Sequence, residues 1–401
     1  MNKNFDIISV RQNYPSMANP VSSNWVYEQV RGGLKSGFKI IVISPTPYIP
    51  SLFRCFGPYR HHTNPSNEVE EYNGTRVLRP RFIKFPHYYF YNWTLANMKK
   101  TLLRTTSGMS TKIIHSHFGY DGVVSVDLKK KLGCKLITTF YGGDVRRTVK
   151  HKPGIYKRLK EEGDLFLAIS DLMKKDLIEL GFPEDKIEVW RLGVDTEIFS
   201  PSKKVRNPDK PLRFLTIARL SREKGIHHSI KAFARLKRLY EEIEYVIVGF
   251  GPEEARLKSL VRQLGLESHI TIINNLHFPD PRRVVLEQLQ LSDIFVLSSY
   301  SNRGIAKEGT PIVLMEAQSC GLPCISSLHS GIHEVIVQNE TGFLFKQKDV
   351  EGIFSGMRLL FENRGTLEHM GNNATAHIKK NYNFDFQIEK LCGIYDKCLT
   401  L

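Results

Sequence analysis

Short apolar runs, separated by longer amphipathic stretches, are the feature that most constrains how this chain can fold. The runs include FDIISV, KIIVISP and IIHSHF early in the chain, and RFLTIARL, EYVIVGFG and DIFVLSS after residue 211. Amphipathic stretches such as SIKAFARLKRLYEE stand between them. This alternation is typical of βαβ units, in which the strands lie parallel in one sheet and the helices cover it. The pattern therefore predicts an α/β protein.

The segment SPSKKVRNPDKP, residues 200–211, divides the strand series into two halves of similar size. Its proline, lysine and serine content is typical of a linker. We therefore expect two Rossmann-like, doubly wound domains facing across a cleft, at residues 1–200 and 201–380, with an amphipathic C-terminal helix at 381–401. Ligands of open α/β sheets bind outside the carboxyl ends of the strands, so the cleft is the expected binding site.

The net charge of +16 is concentrated in the first half, which carries +11 over residues 1–200. Such a balance favours anionic partners: a phosphorylated substrate, nucleic acid or an anionic membrane surface. The chain contains no apolar run long enough to span a bilayer, which predicts a cytoplasmic protein. Its six cysteines lack metal-ligand spacing, so we expect free thiols in a reducing compartment.

The stretch RPRFIKFPHYYFYNW, residues 79–93, mixes basic and aromatic side chains. One interpretation is a surface that contacts lipid headgroups, because such side chains suit the membrane interface. The other is the edge of a packed helix with a basic rim. The sequence alone leaves both open.

Two glutamates bracket a predicted helix in EGTPIVLMEAQSCGLPC, residues 308–324. Thr310 is a good N-cap, Pro311 suits the first helical position and Gly321 is a stop signal, which predicts a helix over residues 311–320. The N-terminus of a helix binds anions through its free N–H groups and its dipole.

Glu308 precedes this helix and Glu316 lies in its apolar sequence. Two carboxylates flanking an anion site suit a ligand with hydroxyl groups at both ends and phosphate between them, which is the layout of a nucleotide-sugar. The alternative is an exposed loop residue at 308 and an ion pair at 316.

Two cations follow the predicted strand RFLTIARL: Arg219 at its carboxyl end and Lys224 in the next turn. Together they could clamp a diphosphate, since arginine supplies a planar fork and lysine a point charge. Gly249 and Gly251 end the next strand and permit close approach of a ligand, although a GxG pair alone is weak evidence.

The order ARLSREKG, IVGFGP, SDIFVLSS, EGTPIVLMEAQSCGLPCISS and SGIHEVI resembles the C-terminal half of the retaining GT-B glycosyltransferases of family 4. The segments IIHSHFGYDG, TTFYGGDV and VWRLGVDTEIFSP are similar to parts of the family's N-terminal half. The likeness is greatest to the bacterial branch that builds capsular or exopolysaccharide repeat units. The family fold implies that the last helix packs on the N-terminal domain.

The resemblance implies roles for the residues already singled out. Arg219 and Lys224 match the clamp on the donor diphosphate, Glu316 the acceptor of ribose hydrogen bonds, and Glu308 the residue that holds the donor sugar. The remaining positions implied to contact the nucleotide-sugar are Gly309, Thr310, Ile312, Val313, Gly249, Gly251 and Ser23.

One departure concerns the His-Gly-x-Asp element of related enzymes, where this chain has Tyr141, Gly142, Gly143 and Asp144. Either Tyr141 replaces the missing histidine, or His117 from HSHF enters the cleft. A tyrosine hydroxyl can donate to a sugar oxygen but carries no positive charge near neutral pH. Of His115 and His117, we expect one to be buried and the other to face the cleft.

The sequence contains no Asp-x-Asp, and the His-x-His pair lacks a third ligand, so neither a metal nor another cofactor is expected. Together, the residue patterns and the resemblance predict a metal-independent, retaining transferase that moves a hexose or related sugar from a nucleoside diphosphate to a saccharide acceptor. The positive charge and the 79–93 stretch favour a lipid-linked acceptor and peripheral contact with the inner face of the cytoplasmic membrane. The alternatives are a GT-B nucleotide-sugar epimerase and a basic nucleic-acid-binding protein.

Overall fold

The computed structural model describes residues 3–17, 22–50, 68–84, 90–201, 210–301 and 309–400, apart from the side chains at 146 and 147. The chain divides into two compact units: unit 1 is Met1–Trp190 with Ile388–Leu401, and unit 2 is Arg191–Gln387. The division thus precedes the linker-like segment 200–211. Both units are α/β.

Unit 1 is built on an eight-stranded sheet in which every pairing is parallel except that of β4 with β5. The strand order is β10-β9-β8-β7-β1-β2-β5-β4, and β3 pairs separately with β6. The strands are β1 (Asn4–Val10), β2 (Ile40–Ile43), β3 (Thr46–Tyr48), β4 (Val69–Tyr72), β5 (Thr75–Leu78), β6 (Arg81–Ile83), β7 (Ser110–His117), β8 (Lys135–Phe140), β9 (Leu165–Ala168) and β10 (Ile187–Val189).

Within the described part of unit 1, α-helices connect these strands. They are α1 (Asn24–Lys35), α2 (Tyr91–Thr105), α3 (Gly119–Leu132), α4 (Gly143–His151), α5 (Lys157–Glu162) and α6 (Asp171–Glu179).

Unit 2 contains a six-stranded, all-parallel sheet in the order β13-β12-β11-β14-β15-β16. Its strands are β11 (Leu212–Ile217), β12 (Ile243–Val248), β13 (Ile270–Ile273), β14 (Ile294–Leu297), β15 (Cys324–Ser327) and β16 (Gly342–Phe345). Its helices are α7 (Ile226–Lys237), α8 (Glu254–Gln263), α9 (Pro281–Leu291), α10 (Ile312–Ser319), α11 (Ile332–Val335), α12 (Val350–Glu362) and α13 (Thr366–Asn381).

The apolar runs form the central strands because helices cover both faces of each sheet. Along β2 and β14 every residue is buried, which explains why these strands read as continuous apolar sequence instead of alternating. The strand order reverses between β1 and β7 in unit 1 and between β11 and β14 in unit 2. Such a switch point opens a crevice at the carboxyl ends of the two strands.

The last helix, α14 (Phe384–Thr400), belongs to both units. At its start, the backbone N–H of Phe384 donates to the carbonyl of Val194 in unit 2, at 2.9 Å. From Ile388 onward it packs in unit 1, where the ring of Tyr395 meets that of Phe38 edge to face, 5.5 Å between centroids. Unit 1 is therefore assembled from two separate stretches of chain.

Candidate functional site

The connection from β11 to α7 places Arg219 and Lys224 at the switch point of unit 2. Arg219 lies just beyond β11 and is exposed, and its guanidinium makes no hydrogen bond or ion pair within the described residues. Lys224 ends a short 3-10 helix, Arg222–Lys224, and is partly buried. Two cations at the carboxyl end of a central strand can neutralise a bound anion.

Gly249 and Gly251 lie against this connection. A Cβ on Gly249 would approach the Ala218 carbonyl oxygen to 1.9 Å, and one on Gly251 would approach that of Leu220 to 2.4 Å. Their φ angles of 152° and 154° also disfavour a side chain. The space on the Cβ side of both glycines is thus filled by the protein backbone next to Arg219, and their contact with a ligand stays a prediction.

Helix α10 is anchored on one side and accessible on the other. Its N-cap is Pro311, so the helix starts one residue later than Thr310 as N-cap would place it. Gln318 donates through Nε2 to the carbonyl of Val335 at 3.1 Å, and the Ser319 hydroxyl donates to that of Phe199. The residues of α10 that remain partly exposed are Ile312, Val313 and Glu316; ahead of the helix, Thr310 is buried and Gly309 is partly exposed.

The carboxylate of Glu316 accepts no hydrogen bond within the described residues, although its surroundings are largely apolar. Burial raises the pKa of this carboxyl to about 7, and the positive charge of Arg282 opposes the rise. A partly exposed carboxylate in apolar surroundings is a group whose hydrogen bonds a ligand hydroxyl can supply. Glu308 lies outside the described residues.

Tyr141 and His117 form one buried hydrogen-bonded pair at the strand ends of unit 1. The Tyr141 hydroxyl lies 2.8 Å from Nδ1 of His117 and 3.3 Å from the side-chain amide of Gln29. His117 is only 1% exposed, and its Nε2 lies 3.2 Å from the Ser9 hydroxyl. With both ring nitrogens engaged, His117 can position Tyr141 but presents no free nitrogen.

The expectation that one histidine of His115 and His117 is open to a ligand is wrong. Alternate residues of a strand share a face, and the two rings stack with centroids 4.1 Å apart. Both side chains are buried. Burial lowers the pKa of His115 to about 3, and burial together with His115 and Arg11 lowers that of His117, so both rings are neutral at physiological pH.

Ser23 has a partner that the sequence did not indicate. It is the N-cap of α1, in the left-handed region at φ 49°, and its hydroxyl oxygen accepts from Nε of Arg11 at 3.0 Å. Arg11 in turn forms an ion pair with Asp121 at 3.2 Å. The available signal was position: Arg11 directly follows β1, and Asp121 lies in the first turn after β7.

Asp144 ties two loops of unit 1 together. It accepts from the backbone N–H of Gly119 at 3.0 Å and of Gly142 at 2.9 Å. The loops that follow β7 and β8 are thereby tied to one carboxylate. Its function here is to hold the strand-end loops of unit 1 in place.

The basic and aromatic stretch 79–93 does not form one continuous surface. Arg79 is buried, forms an ion pair with Glu70, and donates to the backbone carbonyls of Tyr14 and Pro15. Phe82 is buried as well, and residues 85–89 lie outside the described part of the chain. Among the described aromatic side chains of this stretch, Phe90 and Trp93 are exposed, Trp93 by 52%.

Within the described ranges, no three residues among histidine, cysteine, aspartate and glutamate are grouped so as to hold a metal ion. Cys134, Cys320, Cys324, Cys392 and Cys398 are free thiols, while Cys55 lies outside those ranges. None of the described helices has both the length and the apolar character required to cross a bilayer.

Comparison with known proteins identifies the family. Residues 22–198 match the family model Glycosyltransferase Family 4, and residues 199–377 match the model Glycosyl transferases group 1. The amylovoran biosynthesis glycosyltransferase AmsK of Erwinia amylovora is 32% identical over 80% of this chain and 79% of its own length. This chain belongs to the family 4 glycosyltransferases.

One further relative and one solved structure are similar to this family 4 glycosyltransferase. The putative colanic acid biosynthesis glycosyltransferase WcaL of Escherichia coli is 37% identical over 59% of this chain, and the match spans 58% of the length of WcaL. The crystal structure of Anabaena HepE in complex with UDP superposes with a TM-score of 0.73 at 14% identity, covering 98% of this chain and all of that one. The fold is GT-B.

Proposed function

We propose that this family 4 glycosyltransferase transfers a sugar, with retention of anomeric configuration, from a nucleoside-diphosphate-sugar bound by unit 2 to a saccharide acceptor bound by unit 1. The step belongs to exopolysaccharide biosynthesis, as the names of WcaL and AmsK indicate for those relatives. The observation that carries the proposal is Glu316, a carboxyl in apolar surroundings on the accessible face of α10 that has no hydrogen-bond partner among the described residues. No finding supports the epimerase alternative.

The donor is held by charge at its centre and by hydroxyl recognition at its ends. Arg219 and Lys224 bind the diphosphate, together with the N–H groups that begin α10 near Ile312 and Val313. Glu316 accepts hydrogen bonds from the ribose hydroxyls, and the resemblance assigns the donor sugar to Glu308. Each charge-assisted bond of this kind contributes about 1.5–3 kcal/mol.

In the transfer, the bond from the anomeric carbon to the β-phosphate oxygen breaks while the bond to the acceptor oxygen forms on the same face. The departing phosphate takes the proton of the acceptor hydroxyl. Negative charge develops on that phosphate, and preorganised cations lower the barrier most when they are already aimed at it. Arg219 and Lys224 supply this positive charge, so the proposed reaction is independent of a metal.

The test is a thermal-shift series with UDP, GDP, ADP and dTDP, with and without EDTA. One nucleotide should raise the melting temperature, and at a hundredfold excess over its dissociation constant it should add about 2.7 kcal/mol to the free energy of unfolding. The Arg219→Ala/Lys224→Ala double variant should lose this shift. The matched control is Arg238→Ala, an exposed cation at the opposite end of α7, which should keep it.

Three outcomes contradict the proposal. A protein that melts cooperatively and responds to none of the four nucleotides has no donor site of this kind. A shift that survives in the double variant shows that Arg219 and Lys224 do not bind the diphosphate. A shift that EDTA abolishes shows that nucleotide binding needs a metal ion, which contradicts the metal-independent mechanism.

We also propose that the acceptor is lipid-linked and that α2 meets the membrane. Trp93, Lys100 and Arg104 are exposed along this helix, and the unit that bears them is the more basic part of the chain. Flotation with vesicles of phosphatidylglycerol at low salt should recover the protein. The Trp93→Ser/Lys100→Ser variant should float less than the wild type, and a wild type that stays at the bottom of the gradient excludes the membrane contact.

A further inference from the structure

The switch point of unit 1 places Arg11 and Phe118 face to face. Arg11 is the residue after β1 and Phe118 the residue after β7, the two neighbouring strands at which the strand order reverses. The guanidinium carbon of Arg11 lies 3.9 Å from the ring centroid of Phe118. The place where an open α/β sheet binds its ligand is thus occupied by a stacked arginine.

Hydrogen bonds from two of its three nitrogens fix the orientation of the Arg11 guanidinium. Nε donates to the Ser23 hydroxyl at 3.0 Å, and Nη1 donates to Oδ2 of Asp121 at 3.2 Å. Nη2 has no hydrogen-bond partner in the described part of the chain, and the side chain is 13% exposed. A planar fork held in this way loses little further entropy when its open edge binds a second anion.

Asp121 is a weak counter-charge for this arginine. It is fully buried, and its Oδ1 makes no hydrogen bond within the described residues. Burial raises the pKa of Asp121 to about 7 in spite of Arg11. A carboxyl that is protonated so easily leaves much of the positive charge of Arg11 uncompensated.

The surroundings favour a negatively charged ligand over a neutral one. Helices α1 and α3 both begin at this edge, and the positive ends of their dipoles add to the charge of Arg11. The other carboxylate at this edge, Asp144, is already occupied by backbone N–H donors. Phe118 holds a left-handed φ of 80°, a strained conformation for a bulky residue and one that is typical of functional sites.

We propose that Arg11 binds an anionic oxygen group of the acceptor, with Ser23 and Asp121 as its positioning residues. The group is either a carboxylate on the acceptor saccharide or the diphosphate of its carrier, which present the same charged oxygens to the guanidinium. The inference rests on the proposed function, because it takes unit 1 as the acceptor-binding unit.

The test uses three probes with the nucleotide-binding site saturated by the nucleotide that shifts the melting temperature. Methyl glucuronide and methyl glucoside differ only in the carboxylate, and inorganic pyrophosphate stands for the carrier. Ligand-observed NMR titration should show at least one anionic probe binding about tenfold or more tightly than methyl glucoside, the ratio expected for one charge-assisted bond. Whichever anionic probe binds identifies the source of the charge.

Arg11→Gln should abolish this preference and leave the nucleotide shift unchanged, so a failure here is separate from a failure of the donor site. Arg11→Lys keeps the positive charge but lacks the planar fork, so it should weaken the preference. This variant provides the test if Arg11→Gln does not fold. Lys175→Gln, which removes an exposed cation on α6, is the matched control and should keep the preference. Equal binding of charged and neutral probes, no binding of any probe, or a preference that survives in Arg11→Gln overturns the inference.

Discussion

The Tyr395 hydroxyl lies 2.6 Å from Nδ1 of His115, joining the last helix of the chain to a central strand of unit 1. The other ring nitrogen of His115 lies 2.7 Å from the Thr139 hydroxyl on β8. The ring of His115 stacks on that of His117, and His117 in turn is hydrogen-bonded to Tyr141. The helix α14 therefore supports the strand ends of unit 1 from behind.

Replacing Tyr395 with phenylalanine should lower the free energy of unfolding by about 1–3 kcal/mol, because the buried Nδ1 of His115 loses its partner. The measurement is urea unfolding followed by circular dichroism. Tyr240→Phe is the control, since its hydroxyl bonds to Glu362 on the surface, and it should leave the transition midpoint in place. A Tyr395→Phe midpoint equal to that of the wild type would show that this bond adds nothing to stability.

Glu316→Gln should stabilise the protein increasingly as the pH rises. The folded pKa of about 7 lies above the usual value of 4.5, so between these values the folded state keeps a proton that the unfolded chain has released. The contribution of Glu316 to stability therefore falls as the pH rises from about 4.5 to 7, and glutamine has no such dependence. At pH 8 we expect a gain of about 1–3 kcal/mol over the wild type, shrinking towards pH 5.

The measurement for Glu316→Gln is urea unfolding of variant and wild type at pH 5, 6.5 and 8. Glu267→Gln, an exposed carboxyl next to β13, should show no pH-dependent difference. If the stability difference at position 316 is the same at all three values, the carboxyl is ionised normally and is not desolvated. The same variant should lose nucleotide affinity, as expected of a residue retained for binding at the expense of stability.

Gly249→Ala should prevent folding of unit 2 or lower its stability by more than about 3 kcal/mol, because the new methyl group overlaps the Ala218 carbonyl. Gly365→Ala is the matched control: a Cβ there meets nothing within 4 Å, and its φ of −61° suits alanine. Differential scanning fluorimetry distinguishes them. Equal melting temperatures would mean that the connection carrying Arg219 moves aside freely.

Asp144 should show a graded loss of stability. Asp144→Ala leaves the N–H groups of Gly119 and Gly142 without an acceptor and should lower the free energy of unfolding by about 2–4 kcal/mol. Asp144→Asn keeps one acceptor oxygen and should fall between alanine and the wild type. Chemical denaturation of the three proteins checks this order, and an asparagine variant as unstable as alanine would contradict the account by which each oxygen serves one loop.

The sequence predicted the parts of the fold that depend on local pattern. The apolar runs became β1, β2 and β7–β15, because strands buried on both faces need uninterrupted apolar residues. The short strands β4 and β5, with sequences VEEY and TRVL, carry charged residues at a sheet edge and were not recognised. Partners distant in sequence were beyond such reasoning: Arg79 looks like a surface cation until the carbonyls of Tyr14 and Pro15 are seen around it.

The residues of the candidate site likewise include some that the sequence indicated and some that it did not. Arg219, Lys224 and Glu316 follow from spacing and resemblance, since each lies beside a strand end or on a helix that the sequence indicates. Arg11 and Asp121 lie on elements far apart in sequence and meet only because β1 and β7 are neighbours in the sheet. The expectation that one of His115 and His117 faces the cleft was wrong, because the alternation of a strand says which residues share a face but not whether that face is covered.

The division of unit 1 between the two ends of the chain bears on the order in which the protein is made. Residues 191–387 are contiguous, so unit 2 has all its elements once they have left the ribosome. The first 190 residues emerge earlier but await α14, and until Tyr395 is synthesised the buried ring of His115 has no partner for Nδ1. During synthesis the N-terminal domain usually folds first. Here unit 1 is begun first but can complete its fold only after unit 2.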